Sequence, residues 1–123
     1  MDILICDDEP LAVERLSRLV TQMGHQVIAT AAYGQQAIEM VQFYQPDVVL
    51  LDIQMPEENG FELLKYFERI NFEIIFTTAY KEFAIQAIRN SALDYLVKPI
   101  NLEDFKVAIS RFESKKTSSI SID

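Results

Sequence analysis

Little in this chain can cross-link, bind a soft metal or enter a membrane. Cys6 is the single cysteine, so no internal disulfide can form. It lies in an apolar run and reads as a small buried hydrophobe in a reducing compartment. His25 is the single histidine, placed in a turn, and reads as a surface residue rather than a ligand or base. No apolar run approaches the length of a membrane span. The N-terminus lacks the basic segment and longer apolar stretch of a signal peptide. The expectation is a cytoplasmic chain without membrane contact. Positive charge is also scarce: 11 Lys and Arg stand against 19 Asp and Glu, a formal net charge of -8. A domain this acidic repels phosphate backbones, which excludes nucleic-acid binding by the domain itself. There is no internal repeat and no low-complexity segment.

What is present is an ordinary globular composition. The 123 residues are 50% hydrophobic and 24% charged, enough for one domain with a real core. The stretch Asp47-Val-Val-Leu-Leu-Asp52-Ile-Gln-Met-Pro56 organises it. Val48 to Leu51 is too short for a buried helix and suits a strand covered on both faces. Asp52 falls at its carboxyl end, where open α/β sheets bind ligands. Pro56 stiffens the loop that follows and Gly60 closes it.

The rest of the chain repeats the alternation. Ile3 to Cys6 reads as a strand ending in Asp7-Asp8-Glu9-Pro10. A helix follows with Leu16, Leu19, Val20 and Met23 at helical spacing, ended by Gly24. Val27 to Ala31 is a second strand. Gly34 opens a helix carrying Ala37, Ile38 and Val41 that Pro46 stops. After the organising strand, Gly60 leads a third helix with Leu63, Leu64 and Phe67. Glu73 to Thr77 is a fourth strand, Tyr80 to Asn90 a fourth helix, and Asp94 to Val97 a fifth strand. Lys98-Pro99 turns into a last helix with Phe105, Ala108, Ile109 and Phe112 inside. Residues 1–113 form the domain; 114–123 read as a polar tail, the start of a linker or a ragged terminus. Five strands alternating with five helices define an α/β fold, a doubly wound parallel sheet of the flavodoxin-like (βα)5 kind. The expected strand order is 2-1-3-4-5, with its switch point between strands 1 and 3.

That switch point joins the strand ends bearing Asp7-Asp8 and Asp52. Adjacent strand ends lie roughly 5 Å apart, so three carboxylates crowd one pocket. Crowded carboxylates raise one another's pKa unless a cation relieves them, and an all-oxygen set selects a hard ion such as Mg²⁺. Mg²⁺ held by carboxylates points in turn to phosphoryl chemistry. Such chemistry needs donors and positive charge around the phosphoryl oxygens. Thr78 and Lys98, at the ends of strands 4 and 5, are the candidates. Taken singly, Thr78 would be a helix cap and Lys98 a surface lysine.

Together these residues resemble the receiver domain of bacterial two-component response regulators. The likeness rests on Asp7-Asp8, Asp52 with Met55-Pro56 and Gly60, Thr78-Ala79, and Tyr95 with Lys98-Pro99. The runs Asp7-Asp8-Glu9-Pro10-Leu11-Ala12, Thr77-Thr78-Ala79-Tyr80 and Ala92-Leu93-Asp94-Tyr95 are most similar to receivers that precede LytTR-type DNA-binding domains. The resemblance implies that Asp52 accepts a phosphoryl group from a sensor histidine kinase. It implies Mg²⁺ on Asp8 and Asp52, with Asp7 holding metal-bound water and the backbone carbonyl of Gln54 completing the site. It implies that Lys98 pairs with the phosphoryl oxygens, that Thr78 and Tyr95 form the switch, and that Pro99 follows a cis peptide bond. Glu58 departs from the family, where an apolar residue usually docks the loop. The output would be transcriptional, through a DNA-binding domain absent from this chain, and the domain would not be a turnover enzyme.

Three other readings compete. A Mg-dependent phosphatase with an Asp nucleophile, the haloacid-dehalogenase-like kind, wants an acid-base Asp where Gln54 stands. A flavin carrier wants a phosphate loop where Asp7-Asp8-Glu9 would repel one. A pseudo-receiver would not need Asp52, Thr78 and Lys98. The fourth helix, fifth strand and fifth helix also mix signs, with Lys81, Glu82, Arg89, Asp94, Lys106 and Arg111. Opposite charges on one patch suit a two-fold homodimer formed on phosphorylation.

Overall fold

The computed structural model describes residues 1–55, 59–67, 69–89 and 92–121. Pro56 and Glu58, and with them the expected loop stiffening and docking, lie outside the described residues, as does Asn90. The central strand β3 (Val48–Asp52) is buried at every position, as its unbroken apolar run requires for a strand covered on both sides. Each of its Val and Leu side chains contributes about 2 kcal/mol by leaving water. Around it lie β1 (Asp2–Cys6), β2 (Gln26–Ala31), β4 (Glu73–Thr78) and β5 (Asp94–Val97), in the order β2-β1-β3-β4-β5. All four pairings are parallel. The expected flavodoxin-like topology is therefore the observed one, with strand boundaries displaced by a residue at most.

Among the described residues five helices cover the sheet: α1 (Pro10–Gln22), α2 (Gly34–Tyr44), α3 (Gly60–Leu63), α4 (Ala84–Arg89) and α5 (Leu102–Ser121). Alternate strand residues divide the core in two. Ile3, Ile5, Val48, Leu50 and Ile75 meet Leu16, Leu19 and Val20 of α1 and Phe105, Ala108 and Ile109 of α5. Leu4, Val49, Leu51, Ile74 and Phe76 meet α2, α3 and α4 through Ala37, Val41, Phe61, Leu63 and Ala87. Pro10 stands at the start of α1, where its missing N–H costs nothing, and Gly24 follows the helix with φ of 80°. The α2 helix stops at Gln45, which takes a left-handed φ of 49° before Pro46.

Two expectations are corrected. The third helix is only four residues long and continues as a 3-10 turn, Leu64–Tyr66. Phe67 leaves it with extended backbone, and its ring meets Phe72 edge-on at 5.4 Å. The fourth helix begins late, after a 3-10 turn at Lys81–Phe83, and the Thr78 hydroxyl accepts the Tyr80 N–H just ahead of that turn. The polar stretch from Ser114 continues α5 as helix to Ser121.

His25 is a smaller correction. It does occupy the turn before β2, but its side chain is only 12% exposed. Its Nδ1 accepts from the Met1 ammonium at 3.0 Å, and its Nε2 lies 3.8 Å from Glu113 on α5. Burial, then the Met1 charge, lower its pKa, and Glu113 opposes them in part.

Candidate functional site

Three strand ends turn out of the sheet by the same local device. The N–H of Glu9 donates to Asp7 Oδ1 at 2.9 Å, that of Gln54 to Asp52 Oδ1 at 3.0 Å, and that of Tyr80 to Thr78 Oγ1 at 3.0 Å. In each case a short polar side chain accepts the backbone N–H two residues on, which bends the chain and fixes the side chain's direction. Asp and Thr at these positions are thus local turn-formers as well as candidate site residues. One oxygen of Asp7 and one of Asp52 remain to face the pocket.

Both remaining oxygens meet Lys98. Its Nζ lies 2.8 Å from Asp7 Oδ2 and 3.3 Å from Asp52 Oδ2. A third acid, Glu9, approaches at 3.3 Å. The sequence reasoning missed Glu9 as a partner, although its place beside Asp7-Asp8 was the available signal. The lysine reaches inward from the β5–α5 connection, where its N–H donates to Thr78 O at 2.7 Å and the Lys98–Pro99 peptide is cis.

Asp8 completes the acidic group. One carboxylate oxygen each of Asp7, Asp8 and Asp52 lies within 4.8 Å of the others; Asp7 and Asp52 are buried and Asp8 is exposed. Such a set suits a hard divalent cation entering from the solvent side. Electrostatics agree. Burial, helped by the Asp7 charge, raises the Asp52 carboxyl to about 6, although the Gln54 N–H and the Lys98 ammonium pull it down. Burial also works against the Lys98 charge. Its hydrogen bond to Asp7 and the charges of Asp52, Asp7 and Glu9 outweigh that and hold it up to about 12. Lys98 is therefore a permanent cation in a pocket with acid to spare.

Gly60 explains how α3 fits beneath Asp52. A Cβ on Gly60 would stand 2.8 Å from the Asp52 carbonyl oxygen and 3.2 Å from Ile53 Cα, both backbone atoms that cannot give way. Its N–H donates to Ile53 O at 2.8 Å, which ties the loop's far end to the strand.

Thr78 is fully buried at the end of β4. Tyr95 is half-buried on β5 opposite Phe76, against the core of the α2–α4 face. Gln54 follows the site on the exposed side.

A doubly wound domain with carboxylates and one lysine gathered at its switch point belongs to the receiver class. Residues 3–110 match the response regulator receiver domain, and the chain is a member of that family. It is 44% identical over 115 residues to the positive alginate biosynthesis regulatory protein of Pseudomonas aeruginosa, covering 90% of this chain and 46% of that protein. It is 42% identical over 122 residues to the sensory transduction protein LytT of Oceanobacillus iheyensis, covering 95% and 49%. Among solved structures, the REC domain of AraT, a response regulator from Geobacillus stearothermophilus, matches with a TM-score of 0.81 at 30% identity. That match covers 96% of this chain and 97% of that one. The chain spans about half the length of the curated relatives it matches. It is thus a two-component receiver domain similar to LytT-type regulators, and the phosphatase reading is not supported. Among the described residues no helix is long and apolar enough to cross a membrane.

Proposed function

We propose that Asp52 is the phosphoacceptor of this receiver domain and that a sensor histidine kinase supplies the group. The carrying observation is the single buried carboxylate oxygen of Asp52 that faces both Lys98 and the acidic group of Asp7 and Asp8. In the transfer, an Asp52 oxygen forms a bond to phosphorus while the bond from phosphorus to the donor's imidazole nitrogen breaks. The oxygen that attacks must be ionised, and burial opposes ionisation. Asp8, Asp52 and the Gln54 carbonyl would hold Mg²⁺, with Asp7 on its water. The ion would supply charge that favours the ionised carboxylate and offsets the incoming phosphoryl oxygens.

Lys98 is the resident counter-charge. In the resting state it is shared among three acids; with a phosphoryl group on Asp52 it gains oxygens of higher charge. Thr78 offers a buried hydroxyl whose oxygen is taken by Tyr80 N–H but whose proton can be donated. Drawing Thr78 toward the phosphoryl group would loosen its turn at Tyr80 and let Tyr95 move inward. Phosphorylation and its reversal are properties of this acceptor rather than turnover of a substrate.

The output would be a population shift on the face of α4, β5 and α5. A groove of about 350 Å³ there is lined by residues including Tyr95, Val107 and Arg111. Within one copy Arg111 already pairs with Asp94 at 2.6 Å and Lys106 with Glu103 at 3.8 Å. A two-fold dimer would exchange such pairs between copies, which suits an equilibrium that activation can tip. Residues 1–113 would be the receiver and the remainder a helical lead into a LytTR-type DNA-binding domain, in a cytoplasmic protein. Intact-mass measurement after acetyl phosphate and Mg²⁺ tests the centre of this reading. One phosphoryl group should be added, and none in Asp52→Asn; labelling that persists in Asp52→Asn would refute it. Sedimentation with and without beryllofluoride tests the dimer.

A further inference from the structure

The charged groups of the site arrive from opposite ends of the chain. Asp7 and Asp8 lead into α1, and Lys98 begins the connection from β5 to α5. The ammonium reaches its acids only while the segment from Lys98 to Asn101 holds its path. At the front of that segment, Lys98 N–H donates to Thr78 O. At the back, Asn101 caps α5, its Oδ1 accepting from Asp104 N–H at 2.8 Å and its carbonyl from Phe105 N–H at 3.1 Å. Pro99 has no N–H to offer. Between these ends, the Ile100 side chain is buried in the same cluster as Phe105, and its carbonyl accepts from Arg15 Nε at 2.6 Å.

Arg15 makes that bond from the middle of α1, 85 residues earlier in the chain. The neighbouring charges are otherwise engaged, since Arg18 pairs with Glu14 one turn apart. Arg15 itself forms no ion pair among the described residues, so its guanidinium is committed to a backbone carbonyl. A guanidinium stays charged at every accessible pH, and its rigid fork loses little freedom in a short bond of this kind. The bond joins the helix that follows the acids to the segment that carries the lysine.

We propose that Arg15 is a positioning residue for Lys98: it straps the β5–α5 connection to α1 and so fixes the ammonium beside Asp52. The proposal rests on Asp52 as phosphoacceptor. A displaced lysine costs rate because a reacting group moved by even an ångström loses much of its effect.

The test is a mutant cycle, read as the rate of phosphoryl uptake from acetyl phosphate at saturating Mg²⁺. A small donor keeps any role of α1 in kinase docking out of the measurement. Arg15→Ala should slow uptake about tenfold, and Arg15→Lys should recover most of the loss. In a Lys98→Ala background, adding Arg15→Ala should change nothing further, because the residue it positions is gone. Uptake in Arg15→Ala as fast as in the parent, or slowed equally with and without Lys98, would overturn the strap. Should Arg15→Ala fail to fold, Arg15→Gln enters the same cycle. Uptake that survives Asp52→Asn is a different failure: it removes the phosphoacceptor, and the strap with it.

Discussion

The two faces of the sheet are built differently. On one face α1 and α5 run for 13 and 20 residues, and Leu16, Val20, Phe105, Ala108 and Ile109 are sealed from solvent. On the other face α2 runs for 11 residues, but α3 and α4 run for only four and six, each joined to a 3-10 turn. Phe67, Phe83 and Tyr95 there are only partly buried, and Tyr80 and Ile85 are exposed. Short helical segments flanked by partly buried aromatics open at lower cost than long helices over a sealed core. The site draws its fixed charges, Asp7, Asp8 and Lys98, from connections that serve the first face. It draws Thr78 from the connection that leads into α4. On the proposed function, the first face would hold the chemistry still and the second would register it.

The sharpest test sets Lys98 against Thr78. Lys98→Ala removes the only cation among the described groups in contact with Asp52 and should slow phosphoryl uptake about 100-fold. Thr78→Ala should spare uptake to within about tenfold. It should instead blunt the change in amide hydrogen exchange that beryllofluoride produces across α4 and β5. Equal effects of the two variants on both readouts would erase the distinction between the faces.

Gly60 probes where the second face meets β3. Gly60→Ala forces a methyl into backbone that stands 2.8 Å away. Overpacking of this kind should destabilise the fold by about 3 kcal/mol, seen in urea melts, and slow uptake by shifting Asp52. A comparable Ala placed in an open turn, Gly24→Ala, meets no atom but suffers a φ of 80°, so its smaller loss of about 1 kcal/mol leaves uptake unchanged.

The acid pocket itself should be visible in the pH dependence. Asp52 rises from an ordinary 3.8 to about 6 in the fold. Below the ordinary value both states are protonated. Between the two values the fold holds a proton that the unfolded chain has lost, so stability falls as pH rises through that window. Above about 6 the fold carries the ionised carboxylate at a cost of up to about 3 kcal/mol. Without Mg²⁺, Asp52→Asn should therefore overtake the parent in stability as pH rises from about 4 to 6, and Mg²⁺ should close the gap. Parallel stability curves for the two proteins would show that Asp52 is not strained by its surroundings.

Much of this was readable from residue pattern because the relevant signals are local. Apolar runs ending in Asp7-Asp8, Asp52, Thr78 and Lys98 specify both the strands and the groups at their ends, and parallel order then brings those groups together. What was not readable depends on contacts across the chain or on local competition. Phe67 leaves α3 to meet Phe72, and Thr78 takes the Tyr80 N–H ahead of α4, contacts that carry no periodic signal. The burial of His25 depends on Met1 and α5. The bond from Arg15 to Ile100 spans most of the chain and carries no motif.

The smallest effect concerns Thr77, one residue before Thr78 on β4. The two threonines are adjacent and both buried, yet a strand sends their side chains to opposite faces. Thr78 Oγ1 has the Tyr80 N–H as partner, whereas Thr77 Oγ1 is buried with no hydrogen-bond partner among the described residues. Thr77 pairs in register with Asp52 and Leu96, and its carbonyl accepts from Ile53 N–H at 3.0 Å, so its backbone role survives any side-chain change. A buried hydroxyl left without a partner costs about 1 kcal/mol or more. Thr77→Val keeps the branched shape and removes that cost, so it should raise stability by about 1 kcal/mol in urea melts without altering uptake. The matching Thr78→Val removes a hydroxyl that is used, and it should lower stability and weaken the α4 response. If Thr77→Val destabilises the fold instead, that hydroxyl has a partner, and the face of α1 and α5 is not the purely apolar one that holds the chemistry still.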